Sequence, residues 1–246
     1  MARTRPLPTD EQLTLFGKRG GKRRCAGRPP KGPRAGSPHR RRPFLHERYP
    51  VHVTLRAIAA VGNLRRRGVY RAVREATIAV AGRADFRIIH LSIQHNHIHL
   101  LVEAKSKEAL AVGMKGFQIS AAKHLNVAIS KGRPGPRRRG TVFPDRYHAT
   151  IITTPTQARH ALSYVLNNLR KHREDQKAPA AGWRVDWFST GCSFNGWSEY
   201  GDEPWLWGWP PTYDLLFTYQ PNTWLLREGW KKAGSISCRE IPSGHR

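Results

Sequence analysis

Acidic residues are scarce in this chain. Across 246 residues, 17 Asp and Glu stand against 43 Lys and Arg, a formal net charge of +26. A surplus of that size cannot be neutralised inside the protein, so a polyanionic partner is expected, nucleic acid first. Cysteine is also rare: Cys25, Cys192 and Cys238 lie far apart. Three such cysteines make neither a disulfide framework nor a Cys-based zinc site, and they fit a reducing, cytoplasmic (nucleoid-associated) setting. Long apolar runs are missing: none approaches the roughly eighteen residues of a membrane span. The opening "MARTRPLPTDEQLTLFGKRG" has no apolar core of a secretory signal. No Gly-rich loop ending in GK[ST] occurs, which argues against an ATP-driven motor.

What is present is unevenly placed. Residues 1–50 hold 14 Lys/Arg against 3 Asp/Glu, whereas residues 181–246 hold 6 against 7. All eight tryptophans fall between Trp183 and Trp230. Three regions follow: a basic disordered arm over 1–48, a folded domain over 49–175, and a Trp-rich extension over 176–246. Residues 17–43 are Gly, Pro and Arg with little to bury. Within them "GRPPK" resembles the core of an AT-hook, though non-specific phosphate affinity accounts for it as well. The near-neutral extension is a poor phosphate binder, so its tryptophans are expected to pack.

Periodicity orders the middle. Val51, Val53 and Leu55 alternate with His52, Thr54 and Arg56, the pattern of a half-buried strand. A helix follows, with Leu64, Val69, Val73 and Ile78 at helical spacing. "DFRIIHLSIQ" and "HIHLLVEA" are two strands joined by a tight turn near Gln94–Asn96. Residues 106–129 form a long helix with Leu110, Met114, Phe117, Ala121 and Leu125 on one side. After the basic loop "SKGRPGPRRRG" comes a strand in "RYHATIITT". Thr154, Pro155 and Gln157 then form a capping-box start with Pro at the first helical position. That helix is expected to run to about Lys171. The order β-α-β-β-α-β-α predicts an α+β fold, a ferredoxin-like antiparallel sheet with helices on one face.

His95, His97 and His99 recur at every second position. On a strand they share one face, and His97 and His99 stand side by side. Two neutral imidazoles at that spacing can hold one divalent ion. Taken singly, each is more often a hydrogen-bonded filler. On the capped helix, Tyr164 lies off the apolar stripe of Ala158, Leu162, Val165 and Leu169. Asn168 sits one turn further on, so phenol and amide point the same way.

"NHIHLLVE" (96–103), "FPDRYHATIITTP" (143–155) and "ALSYVLNNLRKH" (161–172) together resemble the single-tyrosine HUH transposases. Among these the similarity is greatest to the REP-associated tyrosine transposases, relatives of small insertion-sequence transposases that move single-stranded DNA. The resemblance spans about residues 50–175. His97, Ile98 and His99 are the HUH triplet. The order, with the tyrosine after the histidines, is the reverse of that in HUH relaxases.

The resemblance implies that Tyr164 is the nucleophile and that His97, His99 and Asn168 hold Mg2+ or Mn2+. It implies cleavage of single-stranded, hairpin-containing DNA through a 5′-phosphotyrosine and a free 3′-OH. His160 or a metal-activated water would take the phenolic proton. DNA contacts are expected from Lys115, Lys123, Arg133, Arg137, Arg138, Arg139 and Arg146, with Tyr147 and Phe143 either stacking surfaces or, equally, core residues. His148 is a further residue near the expected site. The protein would act as a monomer or a homodimer. Two rival readings are a hairpin-binding protein that does not cleave, and a zinc hydrolase built on His95, His97 and His99.

Overall fold

The computed structural model describes residues 42–132, 134–176, 180–200 and 214–242. The "GRPPK" segment, most of the basic arm, Arg133 and the tryptophans at 205, 207 and 209 lie outside the described residues.

Four strands form one antiparallel sheet in the order β2-β3-β1-β4: β1 (Val51–Arg56), β2 (Phe86–Ile93), β3 (His97–Ala104) and β4 (His148–Ile151). Helices α1 (Arg67–Ala79) and α2 (Lys107–Ser130) cross over one face. This is the α+β, ferredoxin-like arrangement that the sequence predicts. The apolar half of each strand alternation points at these helices. Val51, Val53 and Leu55 of β1 and Ile98, Leu100 and Val102 of β3 share a core with Val69, Val73, Met114, Phe117 and Leu125. Gly113 lets α2 lie on Phe86; a Cβ there would sit 2.2 Å from that ring. Ser106 caps α2 by accepting from the Ala109 N–H at 3.1 Å.

The third long helix, α3 (Pro155–Leu166), is on the other face. The first face is already filled, so the α3 stripe of Ala158, Leu162 and Val165 meets Leu101 and Ile89 instead. Helices therefore cover both faces rather than one. Thr154 caps α3 as expected, accepting from the Gln157 N–H at 3.2 Å. Gln157 Oε1 accepts from the Thr153 N–H at 2.8 Å, one residue before the usual capping-box position. The expected single helix to Lys171 breaks at Asn167. There the Arg170 N–H reaches back only three residues to the Asn167 carbonyl, and the Asn167 amide donates to the Ser237 carbonyl at 2.9 Å. A short α4 (Asn168–Lys171) follows the break.

The end of the expected disordered arm is ordered. Leu45 is 2% exposed, and the Arg42 guanidinium lies 3.7 Å over the Tyr147 ring while donating to the Tyr147 carbonyl. An apolar side chain and a stacked cation supply the contacts within residues 42–48.

The extension packs where its near-neutral charge leads one to expect. The Ile93 N–H donates to the Phe188 carbonyl at 2.7 Å, and Ser189 bridges Ser92, so the β2 edge is covered. Trp197 and Trp230 are buried against α3. Glu103 at the end of β3 accepts from the Asn222 and Thr223 N–H groups and the Thr223 hydroxyl, holding the start of α5 (Trp224–Arg227).

A buried ion pair joins extension to core. Asp186, fully shielded, accepts two bonds from the Arg65 guanidinium at 2.8 and 2.9 Å and one from the Phe188 N–H. Removing one partner leaves a charge buried without compensation, which costs far more than losing an exposed pair. Asp186→Ala is expected to lower unfolding free energy by about 3 kcal/mol. Glu228→Ala, which breaks the exposed pair with Lys231, should change it by less than about 0.5 kcal/mol. Urea denaturation of both variants checks the contrast.

Candidate active site

Strand register brings the polar halves of the strands together. Residues paired across an antiparallel ladder place their side chains on the same face. Thr54 pairs with His99 on one side and His148 on the other, and His99 pairs with Ser92. A polar row, His148–Thr54–His99–Ser92, thus crosses all four strands. Arg56 opposite His97 begins the next row. This is the face on which α3 packs, mainly over β2 and β3.

Both histidines of the triplet are held from behind. His97 Nδ1 lies 2.7 Å from Asn96 Oδ1. His99 Nδ1 lies 3.1 Å from both His52 Nε2 and Thr54 Oγ1. With the proton on Nδ1 as donor in each ring, Nε2 presents its lone pair. The two rings are 4.6 Å apart, centroid to centroid. Burial holds His97 down to about 4, helped by His172 and Arg56. His99 is pushed well below the ordinary histidine range by burial, then by His52, His97, His172 and Lys171. Both imidazoles are neutral at physiological pH, the form that ligates metals.

Three atoms here are buried without a protein partner: His99 Nε2, Asn168 Oδ1 and Asn168 Nδ2. Asn168 is fully buried. A buried polar group left unpaired costs about 1–3 kcal/mol, and interiors rarely leave an amide unpaired at both ends. Two imidazole nitrogens and an amide oxygen make a donor set that suits a divalent ion, so His97, His99 and Asn168 fit the metal that the sequence resemblance implies. His95 does not join them. It sits exposed in the turn before β3, and its carbonyl accepts from the Leu64 N–H. Among the described residues no three His, Cys, Asp or Glu side chains are grouped to hold an ion, which removes the geometric basis of a trihistidine zinc hydrolase.

Tyr164 stands over this cluster. Its ring centroid is 5.1 Å from that of His99 and 5.8 Å from that of His52. The Lys171 ammonium is 4.4 Å from the same ring. Burial raises the phenol above the ordinary tyrosine range. The adjacent Asn168 amide opposes that rise, although neither of its polar atoms makes a well-formed hydrogen bond. After α4, Arg173 takes a left-handed conformation (φ 53°) and turns the chain, and His172 lies 5.9 Å from the His97 ring. His160 is exposed and lines a small cavity with Ser163 and Glu240.

The expected DNA contacts are scattered. Lys115 and Lys123 are exposed on α2, across the sheet from the histidines. Arg138 is tied into its loop by Asn126, Ser130 and the Thr141 carbonyl, and Arg137 donates to the Lys123 carbonyl at 3.4 Å. Arg139 and Arg146 are exposed; Arg146 is two residues before His148 of the polar row. Arg133 lies outside the described residues. Tyr147 is buried in the core, and Phe143 is half-buried against it. His52, Thr54, Asn96 and His172 were not singled out from sequence. The alternation along β1 marks His52 and Thr54 as polar-face residues, but only strand register shows that they back His99.

Removing the group behind a ligating histidine typically weakens metal binding 10–100-fold. His52→Ala is therefore expected to weaken Mn2+ binding at least tenfold by calorimetry. In the unaltered protein Mn2+ affinity should stay nearly flat from pH 8 to 6. A histidine lowered to about 4 has no proton to lose in that window, whereas one at 6.5 would compete with the metal.

The profile of the family described as "Transposase IS200 like" matches residues 47–168, which runs from just before β1 through Tyr164 to Asn168. Comparison with curated proteins finds no match. Among solved structures, the chain is similar to a REP-associated tyrosine transposase bound to a REP hairpin, at 15% identity and a TM-score of 0.47. That match covers 75% of this chain and 99% of the other. Through residues 47–168, the chain belongs to the IS200-like transposases.

Proposed function

We propose that the chain is a divalent-metal-dependent transposase that cuts and rejoins single-stranded DNA through Tyr164. The observation that carries this reading is the convergence of a phenol, two neutral imidazoles and a buried, unpartnered amide at one end of the sheet. Mg2+ or Mn2+ at His97, His99 and Asn168 would polarise a scissile phosphate as a Lewis acid.

The chain's own residues divide the remaining work. Asn96 holds His97, and His52 with Thr54 holds His99, so both rings keep one orientation. Tyr164 Oη attacks phosphorus in line. A P–Oη bond forms, the bond to the 3′ oxygen breaks, and the DNA is left with a free 3′-OH and a 5′-phosphotyrosine. The phenol gives up its proton in this step and the departing 3′ oxygen takes one up. In the second step a 3′-OH attacks the phosphotyrosine, and Tyr164 leaves with its proton restored. The bond energy is kept in the intermediate, so no nucleotide cofactor is consumed.

Hairpin-containing single strands are the substrate that the sequence resemblance implies. Arg139 and Arg146 are the cations we assign to the strand near the site; Lys115 and Lys123 would contact DNA passing the far face.

The test is adduct formation on labelled single-stranded oligonucleotides that carry hairpins from the flanks of the chain's own gene. With Mn2+, a covalent adduct resistant to denaturing gels is expected. It should be absent with EDTA and absent from Tyr164→Phe, while Tyr164→Phe retains DNA binding. Tight binding without an adduct across such hairpins would overturn the proposal in favour of a non-cleaving binding protein.

A further inference from the structure

A second cavity lies away from the tyrosine. A cleft of about 830 Å³ opens at the far end of β3, between the turn after α1 and the C-terminal extension. Glu103 is six positions after His97 on β3, so at ~3.3 Å per residue the two sites are about 20 Å apart. The cleft's walls combine guanidinium groups with aromatic rings. Arg83 Nε and Arg87 Nη1 are buried there without an acceptor. The three acids in the wall leave them unpaired: Asp85 bonds another nitrogen of Arg83 at 2.8 Å, Glu103 accepts three donors at the start of α5, and Glu47 is exposed at the edge. Lys105 is exposed at the rim.

Trp224 stands in the same wall with 47% of its surface open, unlike Trp197 and Trp230, which are buried. The ring packs against Gly229, where a Cβ would come within 2.7 Å of it. The Lys232 ammonium lies 5.1 Å from its centroid. Tyr219 stands beside it under the Arg87 guanidinium, at 5.1 Å. Buried guanidinium N–H groups lacking an acceptor call for an anion. An open indole beside them calls for a flat, apolar face.

We infer that this cleft holds an unpaired nucleotide of the DNA strand, with its phosphate on Arg83 and Arg87 and its base stacked on Trp224. The inference rests on the reading of the chain as a single-stranded DNA enzyme, and adds a second, non-catalytic contact built partly from the extension. Stacking of a base on an aromatic ring is sequence-tolerant, because every base has a π face. The cleft thus grips DNA without reading it and anchors the strand at a distance from the cut.

The experiment uses the full chain and a fluorescent single-stranded oligonucleotide carrying one 5-iododeoxyuridine. Cross-linking followed by mass spectrometry should label the peptide containing Trp224. Trp224→Ala should weaken binding about tenfold, as expected for loss of one stacked base, and Trp224→Phe should restore most of it. Arg87→Gln should lower the salt dependence of binding by about one phosphate contact. Circular dichroism confirms that each variant is folded. Cross-links confined to other peptides, with unchanged affinity in folded Trp224→Ala and Arg87→Gln, overturn the inference. The adduct assay is separate. An adduct at Tyr164 without any effect of the cleft variants removes the cleft and keeps the transposase reading. Cleft cross-links without an adduct remove the cleavage reading and keep the cleft as a nucleic-acid site.

Discussion

The contact between His99 and β1 is the constraint on which the site depends. His99 is buried, neutral, and fixed through Nδ1 by His52 and Thr54. That arrangement leaves Nε2 without a protein partner, and the amide of Asn168, next to Tyr164, is unpartnered too. It exists because β1 and β3 are neighbours in a register that sets Thr54 opposite His99. A slip of one residue would turn His52 and Thr54 into the apolar core and carry valines to the site. The apolar alternation that builds the core on one face therefore also fixes the polar cluster on the other.

The extension completes this arrangement. Arg159 and Ser163 of α3 bond Glu240, Asn167 donates to the Ser237 carbonyl, and Arg170 donates to the Cys238 carbonyl at 2.7 Å. These bonds run along the back of the segment that carries Tyr164 and Asn168. They also account for the break at Asn167, where backbone helix bonding gives way to a side-chain bond to the extension. Asn168 then enters the site from its own short turn. Among the described tryptophans, Trp197 and Trp230 fill the space behind α3, and Trp224 is left at the surface.

Much of this was legible in the sequence, because it was written in short-range patterns. Period-two alternation found β1 and β3, and the Thr154–Pro155–Gln157 signal found the start of α3. The histidine triplet, Tyr164 and Asn168 were located by motif, and the fold brings them together. Long-range facts were not legible. Nothing local in α3 says which face of the sheet it covers; that is decided by α1 and α2 having filled the other. His52 was visible as a polar-face residue, but its role arises from pairing across 47 positions. Tyr147 and Phe143 could be read either as stacking surfaces or as core; Tyr147 is buried and Phe143 half-buried against the core, a choice no local pattern decides. The cleft at the far end of β3 joins residues near 85 to residues near 222 and leaves no motif.

The central claim is that His97, His99 and Asn168 form one metal seat under Tyr164. Crystals soaked in Mn2+ and measured for anomalous scattering test it directly. One strong peak is expected about 2.1–2.3 Å from Nε2 of both histidines and from Oδ1 of Asn168, lost in His99→Ala. A peak elsewhere with this pocket empty at saturating Mn2+, or an unchanged peak in His99→Ala, would contradict it.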